Sequence, residues 1–354
     1  MIGNRPQFVK AAAVSPLLRR EHDELLVHTG QHYDDELTTI FVSQLDVPRP
    51  EVELGLGGGT NSQQTARMLA ALAELLRDER PDAVLVYGDT NSTLAGALAA
   101  AQAQVPVAHV EAGMRSFDRA MPEELNRVLT DHLAGLLLAP SELAVANLER
   151  EGVTGAVELV GDVMVDVARI LAPRANADDA ALRAANVEPG EYLLATAHRA
   201  GNVDDPQRLE RLVELLLGFE APVVLPLHPR TRARLDDAGL LERVEAEAIV
   251  LAPLGYLAFT ALLTRARTVL TDSGGVQKEA YLAGVPCITL RDRTEWPETV
   301  QHGWNALVDL DAAAARAALE RPLPDQRPQL YGDGHAGERV VAALERWLRS
   351  LSPP

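Results

Sequence analysis

Cysteine and lysine are almost absent from this chain of 354 residues. Its single cysteine, Cys287, excludes an internal disulfide, and its apolar surroundings (residues 284–290, GVPCITL) are typical of a small core residue rather than a nucleophile. Only Lys10 and Lys278 are lysines among 33 basic residues. Because lysine and arginine are not interchangeable at compact charge sites, both lysines are candidate anion ligands near helix starts, although survival by chance under a codon bias stays open.

Long apolar runs and a basic surface are also missing. No apolar run reaches the roughly 18 residues that a transmembrane helix requires, and the N-terminus lacks a signal-peptide pattern, so we expect a cytoplasmic protein. The net charge of −18 argues against nucleic acids and anionic membranes as partners. A small anionic ligand stays compatible, provided that helix N-termini, backbone amides and a few basic side chains surround it.

Several catalytic signatures do not occur. The chain lacks Walker A spacing, and its glycine loop at residues 272–275 (DSGG) does not have the G-x-G-x-x-G pattern, which argues against a P-loop NTPase or a standard dinucleotide site there. It also lacks His/Cys/Asp sets with zinc-ligand spacing and a G-x-S-x-G nucleophile elbow. We therefore expect a mechanism without metal or other cofactors.

What the chain does contain is a regular alternation of short β-branched runs with Ala-, Leu- and Arg-rich stretches of helical period. This alternation is typical of parallel sheets with crossover helices, and the length favours two domains. The predicted strands are residues 25–29, 83–87, 106–110, 136–139, 157–160, 192–196, 223–227, 248–251, 268–271 and 287–290. We predict an α/β fold of two Rossmann-like domains whose parallel sheets face a ligand cleft.

The predicted boundaries are residues 1–165 for the first domain and 166–335 for the second, with a junction near 162–166. Residues 172–190 suit a surface helix and connection. Residues 336–354 contain a last helix that could pack back on the first domain. At the start, Arg5-Pro6 resembles a helix entry with only Met1 and Ile2 before Gly3, so we expect the natural protein to begin earlier, with an apolar strand.

In the first domain, acidic residues follow predicted strands. Asp89 (in residues 88–93, GDTNST) and Glu111 (in 109–113, HVEAG) lie at strand ends, and Glu123 and Glu124 begin the next helix. Like charges at one sheet edge make carboxyl groups suitable for proton transfer near neutral pH. Helix capping and first-turn acids explain the same residues structurally, and we expect one of Glu123 and Glu124 to be structural.

In the second domain, the signals favour an anion site. His198 and Arg199 follow a predicted strand and could hold a phosphate or protonate a leaving group. A glycine loop (residues 272–275, DSGG) opens a helix, where the amides of Ser273, Gly274 and Gly275 could approach an anion. Glu279 could accept hydrogen bonds from a ribose diol. A solvated helix residue is the alternative.

Taken in order, these segments resemble the non-hydrolysing UDP-N-acetylglucosamine 2-epimerase family, whose two domains have a glycosyltransferase-B-like fold. The resemblance covers nearly the whole chain and rests on residues 3–7 (GNRPQ), 28–32 (HTGQH), 88–90 (GDT), 109–113 (HVEAG), 122–124 (PEE), 198–199 (HR), 272–275 (DSGG), 291–295 (RDRTE) and 331–334 (YGDG). It implies removal of the C2 proton, anti elimination of UDP from C1, and re-addition to the glycal with protonation of the opposite face.

The resemblance also implies roles for individual residues. Asp89, Glu111 and Glu123 become acid/base candidates, and His198 lies near the departing phosphate. The implied substrate-binding residues are Arg5, Lys10, Arg199, Ser273, Gly274, Gly275, Glu279 and Arg291. No metal or nicotinamide is implied, the partner is a UDP-sugar, and the family precedent is a homodimer.

Two departures concern ligand contacts. Residues 200–202 (AGN) lack the Glu that commonly precedes Asn in the family. Gln31 and His32 match the segment that binds an activating second UDP-N-acetylglucosamine in many bacterial members, but residues 57–60 (GGGT) stand where an Arg is expected. Such activation is therefore not expected here.

The substrate has two candidates. UDP-N-acetylglucosamine is the family's commonest substrate and our first choice. Residues 115–122, 225–232 and 294–296 look more like the branch that includes 2-epimerases of UDP-2,3-diacetamido-2,3-dideoxyglucuronate, whose C6 carboxylate could pair with Arg115 or Arg119. A glycosyltransferase would share the fold without needing three carboxylates, and a nucleotide-sugar sensor would not need them either.

Overall fold

The computed structural model describes residues 1–31 and 47–351, apart from the side chain of Arg5. They form two compact units. Unit 1 comprises Met1–Ile170 and Gln329–Pro354, and unit 2 comprises Leu171–Pro328. Within these described ranges, no helix is both long and apolar enough to cross a bilayer.

Unit 1 is built on two parallel sheets. Strands β1 (Val27–His28) and β2 (Val52–Glu53) form a two-stranded sheet, and β3 (Val84–Tyr87), β4 (Val107–Val110), β5 (Leu136–Ala139) and β6 (Ala156–Leu159) form a four-stranded sheet in chain order. The helices of this part of the chain are Arg5–Leu18, Asn61–Glu79, Asn91–Gln102, Pro122–Leu133, Glu142–Glu151, Val163–Ala177 and Ala336–Leu351. Strands β3, β4 and β5 are almost completely buried, because helices cover both faces of a parallel sheet.

The first residues of the chain connect the two sheets of unit 1. Ile2 makes a parallel bridge with His28, and its amide donates to the carbonyl oxygen of Val27 at 2.9 Å. The amino group of Met1 donates to the carbonyl oxygen of Leu85 in β3 at 2.7 Å. These contacts satisfy backbone groups along the facing edges of β1 and β3.

The last helix, Ala336–Leu351, packs on the first helix within unit 1. A Cβ atom at Gly337 would lie 2.2 Å from the carbonyl oxygen of Ala13, so only glycine permits this close approach. Asp166 accepts hydrogen bonds from the amides of Ala336 and Gly337 at 3.1 and 2.8 Å, which supplies partners for the start of the helix.

Unit 2 contains one parallel sheet of six strands. In chain order they are β7 (Leu193–Thr196), β8 (Val223–Pro226), β9 (Ile249–Leu251), β10 (Thr268–Thr271), β11 (Cys287–Thr289) and β12 (Asn305–Leu307), and their order in the sheet is β12-β11-β10-β7-β8-β9. Its helices are Ala180–Ala185, Ala200–Val203, Pro206–Leu217, Pro229–Asp237, Leu241–Glu247, Tyr256–Leu263, Gly274–Ala283, Pro297–Gln301 and Ala312–Glu320. Apolar clusters on both faces of the sheet form its core. The strand order changes direction between the neighbouring strands β7 and β10, and ligands bind at such a switch point in open α/β sheets.

The predicted α/β fold class is confirmed, and each predicted strand overlaps a strand of the structure. Strands β2 and β12 were not predicted, because two or three residues are too short to show a period. The predicted junction, residues 162–166, lies at the start of helix Val163–Ala177, within which the chain passes from unit 1 to unit 2. Cys287 is buried, and burial raises the pKa of its thiol to about 12, which agrees with a core residue.

Glycine is required after β4 for two separate reasons. Gly113 has φ +81°, and a Cβ atom there would lie 2.3 Å from the carbonyl oxygen of Ala144. Gly152, in the same unit, has φ +66° but open space around its Cβ position. We expect Gly152→Ala to cost about 1 kcal/mol of unfolding free energy through left-handed strain alone, and Gly113→Ala about 1–3 kcal/mol more through overlap.

Urea titrations of the two variants and the parent chain measure this difference. Equal losses for the two variants would contradict the tight contact at Gly113.

Candidate active site

Two acidic residues lie at the carboxyl ends of neighbouring strands in unit 1. Asp89 follows β3 and Glu111 follows β4, and these strands pair in parallel. Gly88 directly precedes Asp89. A Cβ atom at Gly88 would be 3.2 Å from Oε2 of Glu111 and 2.9 Å from Nζ of Lys10. The glycine, with φ +63°, thus leaves room for Lys10 and Glu111 beside the turn that carries Asp89.

Glu111 forms a largely buried ion pair with Lys10. Lys10 lies in the second turn of helix Arg5–Leu18, so its ammonium group reaches the sheet edge from the side of the helix rather than from its start. Glu111 has φ +72°, a left-handed conformation that is uncommon for residues with a side chain. Such strained residues concentrate at functional sites.

Asp89 is held by a second basic residue. Nη2 of Arg127 donates to Oδ2 of Asp89 at 2.5 Å, and its Nη1 donates to Glu124 at 3.0 Å. Asn126 donates to the main-chain carbonyl of Asp89 at 2.9 Å. Asp89 keeps about a third of its side-chain surface exposed, so it can be reached while its charge is balanced.

Glu124 has a structural role in this arrangement. It is buried and accepts hydrogen bonds from the amide and hydroxyl of Ser116 and from the amide of Phe117, at 2.8 to 2.9 Å. Glu123, on the same helix, is half-buried. Of the two adjacent acids, Glu123 is therefore the one that stays a candidate for proton transfer.

A buried chain of charges lies behind the sheet edge. His109 is fully buried between Asp131, whose Oδ1 lies 2.7 Å from Nδ1, and the carbonyl oxygen of Gly88, 2.7 Å from Nε2. Arg115 donates to Asp131 at 2.7 Å and makes two hydrogen bonds to Glu151 at 2.8 and 2.9 Å. These contacts connect β4, helix Pro122–Leu133 and helix Glu142–Glu151.

The charges of this chain shift the pKa values of its acids. Burial alone would raise the pKa of the Asp131 carboxyl, but His109 and then Arg115 outweigh burial and hold that pKa below its usual range. The hydrogen bonds from Arg115 lower the pKa of Glu151. Both acids are therefore ionised near neutral pH.

Arg127 and Asp131 were not among the residues predicted for the site. They lie on the same face of helix Pro122–Leu133 as Glu124, at spacings of three and four residues. That spacing was a readable signal, but nothing in the sequence indicated that this face turns towards the carboxyl ends of β3 and β4.

In unit 2, a buried carboxylate organises the loop that carries His198. Asp272 follows β10, and its oxygens accept hydrogen bonds from the amides of His198 and Arg199 and from Nδ2 of Asn202, at 3.0 to 3.2 Å. All these partners are donors, so the ionised form of Asp272 satisfies them. The side chain of His198 stays 41% exposed, and its ring lies 5.4 Å from that of His228.

The glycine loop opens the helix Gly274–Ala283. Ser273 is the N-cap residue, and a Cβ atom at Gly275 would meet only Oγ of Ser273, at 3.9 Å. The exposed helix start therefore offers backbone amides to an anion. The carboxylate of Glu295 lies beside it, because a Cβ atom at Gly274 would be 3.1 Å from Oε2.

Three basic residues of unit 2, Arg199, Lys278 and Arg291, contact side chains beside this loop. Arg291 is buried and bonds Glu295 through both terminal nitrogens, at 3.0 and 3.1 Å. Nη2 of Arg199 lies 3.8 Å from Glu295. Lys278 is buried with its ammonium 4.4 Å from the centroid of the Trp296 ring, a cation–π contact. Arg291 and Lys278 thus support the loop in this structure, and Arg199 is the more exposed cation.

Three further predicted residues complete the survey. Glu279 is half-buried on helix Gly274–Ala283. The first helix begins at Arg5, but the side chain of Arg5 and the whole of His32 lie outside the described residues. The part of the chain that the structure describes contains no group of three His, Cys, Asp or Glu side chains with the geometry of a metal site.

Known proteins match this chain along nearly its whole length. The family model for UDP-N-acetylglucosamine 2-epimerase matches residues 17–345. The chain is 46% identical to UDP-2,3-diacetamido-2,3-dideoxy-D-glucuronate 2-epimerase of Pseudomonas aeruginosa, with 98% of each chain covered. It is 41% identical to UDP-N-acetylglucosamine 2-epimerase of Methanocaldococcus jannaschii, with 97% of each covered. The crystal structure of the M. jannaschii enzyme with UDP-GlcNAc and UDP superposes with a TM-score of 0.91, covering 98% of each chain.

The Arg115–Glu151 pair makes stability depend on pH. Because the pKa of Glu151 is depressed, its stabilisation is present above its ordinary pKa of 4.5 and is lost as pH falls through the folded value. We expect Glu151→Gln to lower the unfolding free energy by about 1–2 kcal/mol at pH 7, and the difference from the parent to shrink below pH 4.5.

Glu149→Gln, on the exposed face of the same helix, is the matched control and should change stability little at either pH. Urea titrations at pH 7 and pH 4 measure both variants. A pH-independent loss for Glu151→Gln would contradict the ion pair.

Proposed function

The chain belongs to the UDP-N-acetylglucosamine 2-epimerase family, and we propose that it interconverts UDP-N-acetylglucosamine and UDP-N-acetylmannosamine by inversion at C2. One observation carries this proposal: Asp89 and Glu111 follow the carboxyl ends of two adjacent parallel strands in unit 1, each with its own basic partner. Epimerisation needs proton transfer on both faces of one carbon, and therefore more than one acid/base group.

The proposed reaction proceeds by elimination and re-addition. A carboxylate of unit 1 removes the C2 proton, the C1–oxygen bond to UDP breaks in an anti elimination, and a glycal forms. UDP then adds back at C1 while a proton is delivered to the opposite face of C2. Asp89, Glu111 and Glu123 are the acid/base candidates, and Lys10 and Arg127 form ion pairs with Glu111 and Asp89.

The groups of unit 2 suit the diphosphate. His198 is exposed on a loop anchored by Asp272, where it can donate a proton or hydrogen bond to the departing phosphate oxygen. Ser273, Gly274 and Gly275 offer amides at a helix start, and Arg199 adds positive charge. We assign Glu279 to the ribose. Arg5 and Lys10 stay predicted contacts of the substrate.

UDP-2,3-diacetamido-2,3-dideoxyglucuronate is the second candidate substrate, because the relative from P. aeruginosa that is named for this sugar shares 46% of its residues with the chain. Of the two arginines predicted to pair with the C6 carboxylate, Arg115 is buried and bonded to Asp131 and Glu151. Arg119 is exposed and stays available. The occupied Arg115 favours UDP-N-acetylglucosamine as first choice.

The homodimer stays a prediction from the family resemblance, and the cytoplasmic location stays a prediction from the missing signal-peptide pattern and apolar runs. Light scattering of the purified protein and fractionation of the producing cells measure them.

The proposed reaction predicts exchange of the C2 proton with solvent. With UDP-N-acetylglucosamine in deuterated water, proton NMR should show loss of the C2 proton signal together with the manno epimer. Glu111→Gln should slow exchange at least about 100-fold, because the amide cannot take up a proton, whereas Glu149→Gln should not change it.

Exchange only with the diacetamido uronate would move the chain to that second substrate. Product formation that requires an acceptor, without C2 exchange, would indicate a glycosyltransferase. Binding of UDP-sugars without any turnover would indicate a sensor.

The His198 loop predicts a separate effect on nucleotide binding. Every hydrogen-bond partner of Asp272 is a donor, so Asp272→Ala would leave the amides of His198 and Arg199 and Nδ2 of Asn202 without their acceptor and displace the loop. We expect calorimetry to show UDP binding weakened about tenfold.

Asp205→Ala is the matched control in the same unit. Asp205 is an exposed helix cap that accepts from the amides of Gln207 and Arg208, so its loss should lower stability without weakening UDP binding. Equal UDP affinity for the Asp272 variant and this control would remove the diphosphate role of the His198 loop.

A further inference from the structure

Asp131 joins two turns of unit 1 that carry the acid/base candidates, although it is itself buried. One of its oxygens faces Nδ1 of His109, and the other accepts from the amide of Gly113 at 3.0 Å and from Arg115 at 2.7 Å. His109 in turn contacts the carbonyl oxygen of Gly88. Asp131 is therefore connected to the turn after β3 and to the turn after β4.

The hydrogen positions follow from the partners of His109. The carbonyl oxygen of Gly88 can only accept, so Nε2 of His109 carries a hydrogen. Nδ1 lies 2.7 Å from Oδ1 of Asp131, so one hydrogen bond joins the ring to the carboxyl group.

Several charged groups belong to this buried chain. Arg115 pairs with Asp131 and with Glu151. Other charged groups of unit 1 lie near its two ends, and they are Lys10 and Glu111 beside Gly88, and His132 4.0 Å from Glu151.

The two anchored turns are those that place Asp89 and Glu111. The carbonyl of Gly88 belongs to the peptide group that leads into Asp89, so the hydrogen bond from His109 fixes the direction in which Asp89 leaves the strand. The amide of Gly113 lies two residues after Glu111, whose own φ of +72° needs support from its surroundings. Small displacements of a reacting group cost large factors in rate.

We propose that Asp131 is a positioning residue of the epimerisation, acting through His109 on Asp89 and through the amide of Gly113 on Glu111. The inference rests on the proposed function, since it concerns the acid/base groups of that reaction. It assigns Asp131 no contact with substrate.

The kinetic test compares two changes at one position. Asp131→Ala removes every hydrogen bond, and we expect kcat for C2 exchange to fall at least about 30-fold with KM within about threefold. Asp131→Asn keeps them: its oxygen can accept from Gly113 and Arg115, and its N–H can donate to Nδ1 of a neutral His109. Its kcat should therefore recover to within about fivefold of the parent.

The matched control is Asp166→Ala. Asp166 is also buried in unit 1 and accepts from two N–H donors, the backbone amides of Ala336 and Gly337. Both alanine variants should lose stability, but only the Asp131 variant should lose kcat per folded molecule. Equal kcat in these two variants would overturn the proposal.

A spectroscopic test needs no loss of fold. In protein labelled with ¹⁵N-histidine, His109 should carry a hydrogen on Nε2 in the parent, because the carbonyl oxygen of Gly88 can only accept. His109→Gln assigns the signal and should lower kcat about tenfold, which keeps the proposal testable where Asp131→Ala does not fold. A His109 ring without a hydrogen on Nε2 in the parent would overturn the proposal.

The two levels of inference fail differently. If the parent protein exchanges C2 of neither UDP-N-acetylglucosamine nor the diacetamido uronate, the proposed function is wrong. If the parent is active while Asp131→Ala keeps its kcat, only the positioning role is wrong.

Discussion

The organisation of unit 1 depends on one electrostatic constraint: acidic side chains at a sheet edge must each have a compensating partner once they leave water. Isolated charges are costly to bury, whereas ionised pairs with satisfied hydrogen bonds are tolerated. The structure meets this constraint at three carboxylates, with Lys10 beside Glu111, Arg127 beside Asp89, and His109 and Arg115 beside Asp131. The partners also determine which acids stay exposed enough to react.

The same constraint separates reactive acids from structural ones. Glu124 accepts hydrogen bonds from the 116–117 loop and from Arg127. The oxygens of Asp131 are hydrogen-bonded to His109, Gly113 and Arg115. Asp89 retains exposed surface. In unit 2, Asp272 likewise accepts hydrogen bonds from backbone amides, and these bonds hold the loop on which His198 is exposed to solvent. Buried acids in both units act as supports for a more exposed neighbour.

Particular residues show how much of the candidate site could be predicted from the sequence. Asp89, Glu111 and His198 were identified because they directly follow strands, and carboxyl ends of parallel strands share one edge of a sheet. Arg127 and Asp131 were missed because helical spacing shows a common face but not what that face contacts. Arg291 and Lys278 stay predicted ligand contacts, and the structure adds their contacts with Glu295 and the Trp296 ring, which no local pattern predicts.

The sequence by itself determined the periodicity, the strand-end positions of the acids and the glycine-opened helix start, because each of these is encoded within a few neighbouring residues. Only the tertiary structure decided which charges are paired, that Glu124 rather than Glu123 is buried, and that Asp131 connects the turns of Gly88 and Glu111. The physical reason is the distance along the chain over which each effect operates. Residue spacing reports on neighbours in sequence, whereas burial and ion pairing depend on groups that the fold brings together from distant parts of the chain.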